Sequence, residues 1–245
     1  ETHVDRSILD PAGFARANVM GTVHALDMAR WLQEKGSGVD RFLLMSTDEV
    51  YGPAPDGIAF TERDRHNPTN PYSAAKSGSE QMVNAYGNTY GLPVIVANTM
   101  NLFGERQDPE KMIPKTIKAV LNGDVLPIHA DKSLTRAGTR QYLHCRNAAA
   151  AFLFLLEHGE QRNWYNVVGE REIDNLSLAR MIAGFVGKEL RHAMVDFHSS
   201  RPGHDLAYRL DGSKLHDMGF RYPVDFEKSL ERVVKWTLEN REWLA

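Results

Sequence analysis

The chain has 245 residues, 42% hydrophobic and 25% charged, with a formal net charge of -3 and one cysteine, Cys145. That length supports a sizeable core, as one large domain or two small ones. The charge leaves no footprint for nucleic acid or an anionic membrane, and one cysteine excludes an internal disulfide framework and fits a reducing cytoplasm. No apolar run approaches the roughly 18 residues of a membrane-crossing helix, and Glu1 to Arg6 lack the basic-then-apolar order of a signal peptide.

The first eight residues carry no clear start signal. Asp10-Pro11 reads as an N-cap followed by proline at the first helical position. A helical recurrence then runs from Phe14 to Leu32, predicting a helix over 10–35 that stops at Gly36 to Gly38. Its apolar residues lie on more than one face, which predicts burial against both a sheet and a second surface. Val39 to Met45 reads as a buried parallel strand. Residues 52–71, rich in Gly, Pro, Asn and Asp, read as an irregular excursion over a site. A second long helix is expected over 71–90, closed by Gly91, and Leu92 to Asn98 as a second buried strand. Strands alternating with long helices predict an α/β fold with a doubly wound, Rossmann-like parallel sheet.

After Asn101 the rhythm shortens. Helices are expected over 110–121, 147–158 and 176–186, with strands over 125–129, 141–144, 163–168 and 190–197. A basic loop over 132–140 carries Arg136 and Arg140. Asp211 caps a short helix ended by Gly219, and Asp225 caps a last helix reaching about residue 243. This predicts a first domain over 1–103, continued by interleaved segments near 141–158, and a smaller mixed α/β domain over 104–245.

Two motifs carry chemistry. Ser46-Thr47-Asp48-Glu49-Val50-Tyr51-Gly52 leaves the end of the first strand, where open α/β sheets place their ligands. Pro71-Tyr72-Ser73-Ala74-Ala75-Lys76 opens the second helix, and its Tyr72 and Lys76, four apart, share a face. A Tyr-x-x-x-Lys pair alone more often marks a solvated helix face; its conjunction with the first motif carries the signal. A tyrosine needs its pKa of about 10 lowered to act as a base, which a cation one turn away would do. Thr47 can hold a hydroxyl, and Asp48 and Glu49 suit general acid and base work. The ten histidines show no metal-ligand spacing, so no metal is expected.

With these motifs the chain resembles the extended short-chain dehydrogenase/reductases, and within them the NAD-dependent nucleotide-sugar 4,6-dehydratases of the dTDP-glucose type. Asn101-Leu102-Phe103-Gly104, Pro109 to Pro114 and Arg201-Pro202-Gly203-His204-Asp205 extend the resemblance over essentially the whole chain. It implies Tyr72 as the base for the sugar 4-hydroxyl, Lys76 on the nicotinamide ribose, Thr47 on the 4-hydroxyl, Asp48 as acid for the leaving 6-hydroxyl and Glu49 as base at carbon 5. Thr2 joins the cofactor-binding residues. Arg140, Arg201 and His204 match diphosphate-binding positions. Asn101, Lys111 and Met112 match positions lining the sugar and diphosphate, and Pro127, Ile128 and His129 a segment touching the base. Asp48 separates this reading from epimerases and decarboxylases of the same family, which usually have a small residue there. Arg136 in a long loop, Leu102 and His129 depart from the pattern, which leaves the preferred base and sugar open. The resemblance also implies a homodimer through helices 10–35 and 71–90.

No Gly-x-x-Gly-x-x-Gly loop lies between a strand and a helix. The family opens with that loop, so the chain is expected to be N-terminally truncated by about 80 residues, two to three βαβ units, and to bind NAD weakly by itself. A non-catalytic remnant that binds nucleotide sugar or pairs with an intact paralogue is the alternative of a different class.

Overall fold

The computed structural model describes residues 1–196 and 206–245. It opens with α1 (Val4–Leu9), α2 (Pro11–Ala15), a π-helical turn (Arg16–Met20) and α3 (Gly21–Glu34). Next come β1 (Phe42–Thr47), a 3-10 turn (Asp48–Tyr51), α4 (Pro71–Tyr90), β2 (Val94–Thr99), β3 (Leu102–Phe103), α5 (Met112–Asn122) and β4 (Leu126–Ala130). β5 (Thr139–Gln141), β6 (Leu143–His144), α6 (Cys145–His158), β7 (Asn163–Val167), β8 (Glu172–Asp174), α7 (Asn175–Val186) and β9 (His192–Asp196) follow. The last elements are α8 (Ser213–Asp217), α9 (Phe226–Glu239) and a closing 3-10 turn (Arg241–Leu244).

The chain divides into two compact units, one of residues 1–99, 149–167 and 208–221, the other of the remainder. The first holds a parallel sheet in the order β1-β2-β7, with Phe42 opposite Val94 and Ile95 opposite Asn163. All six residues of β2 are buried, as expected of a strand covered on both faces. Leu26 and Ala29 of α3 and Val83 and Tyr86 of α4 pack on Val94 and Val96, with Phe42, Leu44 and Trp164 at the margin. Burying each large side chain of this kind contributes about 1.5–3 kcal/mol. Asp10 caps α2 by accepting the Gly13 N–H at 2.8 Å, and Gly91 ends α4 in the left-handed conformation.

The excursion over 52–70 is pinned rather than loose. Phe60 bridges to Leu210, and the Asn166 amide of β7 donates to the Phe60 carbonyl at 3.0 Å. Gly52 starts the excursion at φ 77°, and a Cβ there would lie 2.3 Å from the Asn67 carbonyl oxygen, so a side chain is excluded on two counts.

Among its described residues the second unit has three small sheets: β3 with β6 and β4 with β9, both parallel, and β5 antiparallel to β8. Its core gathers Phe103, Ile113, Ile117, Leu178, Ile182, Phe226, Leu230, Val233 and Val234.

Several elements differ from expectation. Residues 4–9 are helical although they lack a strong start signal; Val4 is buried with Phe14 and Tyr72, so packing supplies what local propensity does not. The expected strand over 141–144 is two strands with different partners, divided at Tyr142. β3 and β8 are too short for periodicity to register. The final helix ends at Glu239 and gives way to the 3-10 turn. Residues 208–221 return to the first unit, a crossing the sequence did not suggest.

Candidate active site

The site grows from the carboxyl end of β1, where Ser46 and Thr47 are buried. Thr47 caps the following 3-10 turn: its hydroxyl oxygen accepts the Glu49 N–H at 3.4 Å and its O–H donates to Asp48 Oδ1 at 2.9 Å. Asp48 is 3% exposed. Glu49, half-buried, accepts from the Asn70 Nδ2 amide at 3.1 Å. Two neighbouring carboxylates therefore sit in different surroundings, one enclosed against a hydroxyl, the other held by an amide.

Asn70 is a functional residue that sequence reasoning passed over. It is the N-cap of α4, its Oδ1 accepting the Ser73 N–H at 2.9 Å while its own N–H donates to Ser73 Oγ at 3.2 Å. One side chain thus starts the helix that carries Tyr72 and steadies Glu49. An asparagine directly before Pro71 was the available signal.

Tyr72 is buried, its ring edge-on to Phe14 with centroids 6.4 Å apart. Its N–H donates to Ser7 Oγ at 3.1 Å, which is how α1 comes to wall the site. Burial, and then the Glu49 charge, push the phenol well above the usual tyrosine range; a hydrogen bond with Thr47 works the other way and Asp48 adds to the rise. This corrects the expectation that Lys76 depresses it. The Lys76 ammonium instead donates to the Met45 carbonyl at 2.7 Å. Burial lowers the Lys76 pKa, opposed by the charge of Glu80.

Glu80 was missed as well. It is the third member of a stripe on α4, one turn beyond Lys76 and two beyond Tyr72, and it has no exposed surface. A carboxylate in the same four-residue register as Tyr72 and Lys76 was the signal. Asn98 donates to its Oε1 at 2.7 Å, the Trp164 indole to its Oε2 at 3.0 Å, and the Ser46 hydroxyl to its Oε1 in a short contact.

Thr2, expected among the cofactor-binding residues, is exposed near the start of the chain. The remaining expected residues belong to the second unit. Asn101 accepts the Leu143 N–H at 2.9 Å through its main chain, while its buried side-chain oxygen has no hydrogen-bond partner among the described residues. Lys111 is the N-cap residue of α5 and Met112 its first helical residue. Pro127 is exposed on β4 and His129 half-buried, but Ile128 is in the core with Leu126, Ala119 and Ala179. The Ile128 side chain is therefore structural, and the accessible surface of this segment belongs to Pro127 and His129. Arg140 donates from Nη1 to the Thr139 and Leu206 carbonyls at 2.7 and 2.9 Å. Arg136 lies in a turn built on Asp131, whose carboxylate accepts the Arg136 N–H at 3.0 Å. Arg201 and His204 lie outside the described residues.

Glu105, His144 and Cys145 come close enough to share an ion, but their surroundings disfavour one. His144 Nδ1 accepts the Arg146 N–H, and the Arg232 guanidinium lies 3.2 Å from Glu105.

Residues 1–168 match the model of the family described as NAD dependent epimerase/dehydratase. The chain is similar to the dTDP-glucose 4,6-dehydratase of Escherichia coli, 36% identical over 266 residues, covering 99% of this chain and 72% of that protein. It is also 38% identical over 245 residues to the Arabidopsis thaliana trifunctional UDP-glucose 4,6-dehydratase/3,5-epimerase/reductase RHM2, covering 99% of this chain and 35% of that one, about a third of its length. Among solved structures, DesIV, the dTDP-glucose 4,6-dehydratase of Streptomyces venezuelae with NAD and TYD bound, superimposes with a TM-score of 0.86 at 35% identity. That match covers 99% of this chain and 72% of that one.

Proposed function

The chain belongs to the NAD dependent epimerase/dehydratase family, and within it we propose that this protein dehydrates a nucleotide-activated hexose of the dTDP-glucose type to its 4-keto-6-deoxy form. The observation that carries this reading is the pair Asp48 and Glu49, set in different surroundings beside Tyr72. A hydroxyl oxidation needs one group to take one proton. Elimination of water needs in addition a base at carbon 5 and an acid at the departing oxygen, and adjacent carboxylates in unlike environments can fill both roles.

The donors present fit the nicotinamide-ribose end of NAD. Among the described residues Lys76 donates one hydrogen bond, to Met45; an ammonium has three N–H donors, so two remain for ribose hydroxyls. When bound, NAD supplies the hydride acceptor, a positive charge and the later return of the hydride. On the protein side, Thr47 fixes the sugar 4-hydroxyl and Tyr72 takes its proton, which requires the positive charge of the nicotinamide ring to bring the raised phenol pKa down. Glu49 removes the proton at carbon 5, made acidic by the neighbouring ketone. Asp48 gives a proton to the 6-hydroxyl, which leaves as water. Thr2 is assigned to the cofactor. Asn101, Lys111, Met112, Pro127, His129 and Arg140, with Arg201 and His204, are assigned to the nucleotide sugar, the guanidinium forks suiting its diphosphate.

The test is exchange at carbon 5 in deuterium oxide. Glu49→Gln should lose roughly 10²–10⁴-fold in deuterium incorporation while hydride removal, read from cofactor absorbance, persists. Incorporation at the wild-type rate would remove Glu49 as the base.

A homodimer in a cytoplasmic setting completes the reading. Met20, Met28 and Trp31 are 45%, 57% and 51% exposed on the helical stretch from Met20 to Trp31, an apolar face suited to a second copy. No helix among the described residues is long and apolar enough to cross a membrane. Trp31→Glu should convert a dimer to monomers in light scattering; an unchanged dimer would exclude this face.

A further inference from the structure

Glu80 takes no part in the proton transfers above, yet donors from three strands converge on its carboxylate. The Ser46 hydroxyl comes from β1, the Asn98 amide from β2 and the Trp164 indole from β7. His66 Nε2, from the 52–70 excursion, lies 3.5 Å from Oε2. A buried carboxylate is costly unless donors and a cation compensate it. A cation, Lys76, stands one turn back on the same helix, fixed to the carbonyl of the residue just before Ser46.

We propose that Glu80 is a positioning residue of the site: its carboxylate, gripped by donors from β1, β2 and β7 one turn from Lys76, holds that side chain's place on the Met45 carbonyl, ready for the nicotinamide ribose. This rests on the dehydratase reading for its purpose but not for its test. Burial lowers the Lys76 pKa and Glu80 pushes it back up. Burial pushes Glu80 up to about 7, against the hydrogen bonds from Ser46, Trp164 and Asn98 and the Lys76 charge. The sign follows directly. Glu80 is ionised above about pH 7, so its support of Lys76 is present there and is lost as pH falls through that value. Its other titratable neighbours do not titrate upward through this window. Burial lowers the His66 pKa, and burial, then the Glu80 charge, raise that of Tyr51.

Competitive acylation with acetic anhydride, read by peptide mass spectrometry, measures the free-amine fraction of Lys76 in the chain without sugar or cofactor. In Glu80→Gln, Lys76 should label roughly tenfold faster at neutral pH, since losing an opposite charge favours the neutral amine. The exposed Lys132 should not change. Trp164→Phe keeps the carboxylate but removes a donor to its charged form, so the Glu80-dependent step in Lys76 labelling should move to higher pH. Unchanged Lys76 reactivity in a folded Glu80→Gln chain would overturn the proposal. Should that variant fail to fold by circular dichroism, an unmoved midpoint in Trp164→Phe would overturn it instead. Either failure leaves the dehydratase reading standing, because carbon-5 exchange tests that separately.

Discussion

The residues proposed for catalysis in the first unit and those proposed for recognition in the second are held in different ways. Around the end of β1, side chain holds side chain: Thr47 holds Asp48, Asn70 holds Glu49, and three strands hold Glu80. In the second unit Arg140 and Arg136 are anchored in part through the main chain. Arg140 donates to two carbonyls, and Arg136 is placed through its own N–H. A group that must transfer a proton needs its position fixed to a few tenths of an ångström. A group that only receives a diphosphate or a base can sit on a strand end and take its orientation from the ligand. The first arrangement ties function to one residue type; the second leaves residue choice open, which is where Arg136, Leu102 and His129 depart from the dehydratase pattern.

The contrast can be broken most directly at Asp48. Asp48→Asn should slow elimination by about 10²–10⁴-fold and leave hydride removal much less affected, as followed by single-turnover absorbance. An equal loss in both steps would mean that Asp48 serves the site's architecture instead of its chemistry. Ile128→Ala should sharpen the contrast from the other side. It deletes core volume and should cost about 2–5 kcal/mol of unfolding free energy in a urea titration, with nucleotide affinity in the folded fraction nearly unchanged. A large affinity loss at full stability would return the Ile128 side chain to the binding surface. The smallest effect on stability belongs to Asn70→Ala. Loss of the cap should cost about 0.5–2 kcal/mol, and elimination should slow as well because Glu49 loses its amide. Combining it with Glu49→Gln should add little further slowing, since both act through one carboxylate; full additivity would separate the two residues.

The comparison also explains what could be read from sequence. The two motifs, the long helices and the buried strands were legible because local spacing and chemistry coincide there. Thr47, Asp48, Glu49, Tyr72 and Lys76 do gather at one strand end and one helix start. For Glu80 and Asn70 the positions could be read, one turn past Lys76 and just before Pro71, but their use could not. Their types suit an exposed helix face and an ordinary helix start, and only the register of Ser46 beside Asn98 and the return of Trp164 reveal their use. The direction of the Tyr72 shift failed for a related reason: helical spacing puts Lys76 on the same face, but the Met45 carbonyl takes the ammonium. α1 was missed because its reason for being helical lies in Tyr72 and Phe14 rather than in its own residues.

Asn70 has a consequence for which residues this chain can accept. Helix starts draw almost interchangeably on asparagine, aspartate, serine and threonine. Here the oxygen end of the side chain receives a helix N–H while the nitrogen end gives a hydrogen to Glu49. Aspartate would cap as well but would set a second carboxylate against the first. Serine and threonine have a single oxygen on a shorter arm, able to meet the helix but not to span to Glu49 as well. Of four residues that are synonyms at other helix starts, one satisfies both neighbours, so the permitted vocabulary at position 70 is narrower than its place at an ordinary helix boundary would imply.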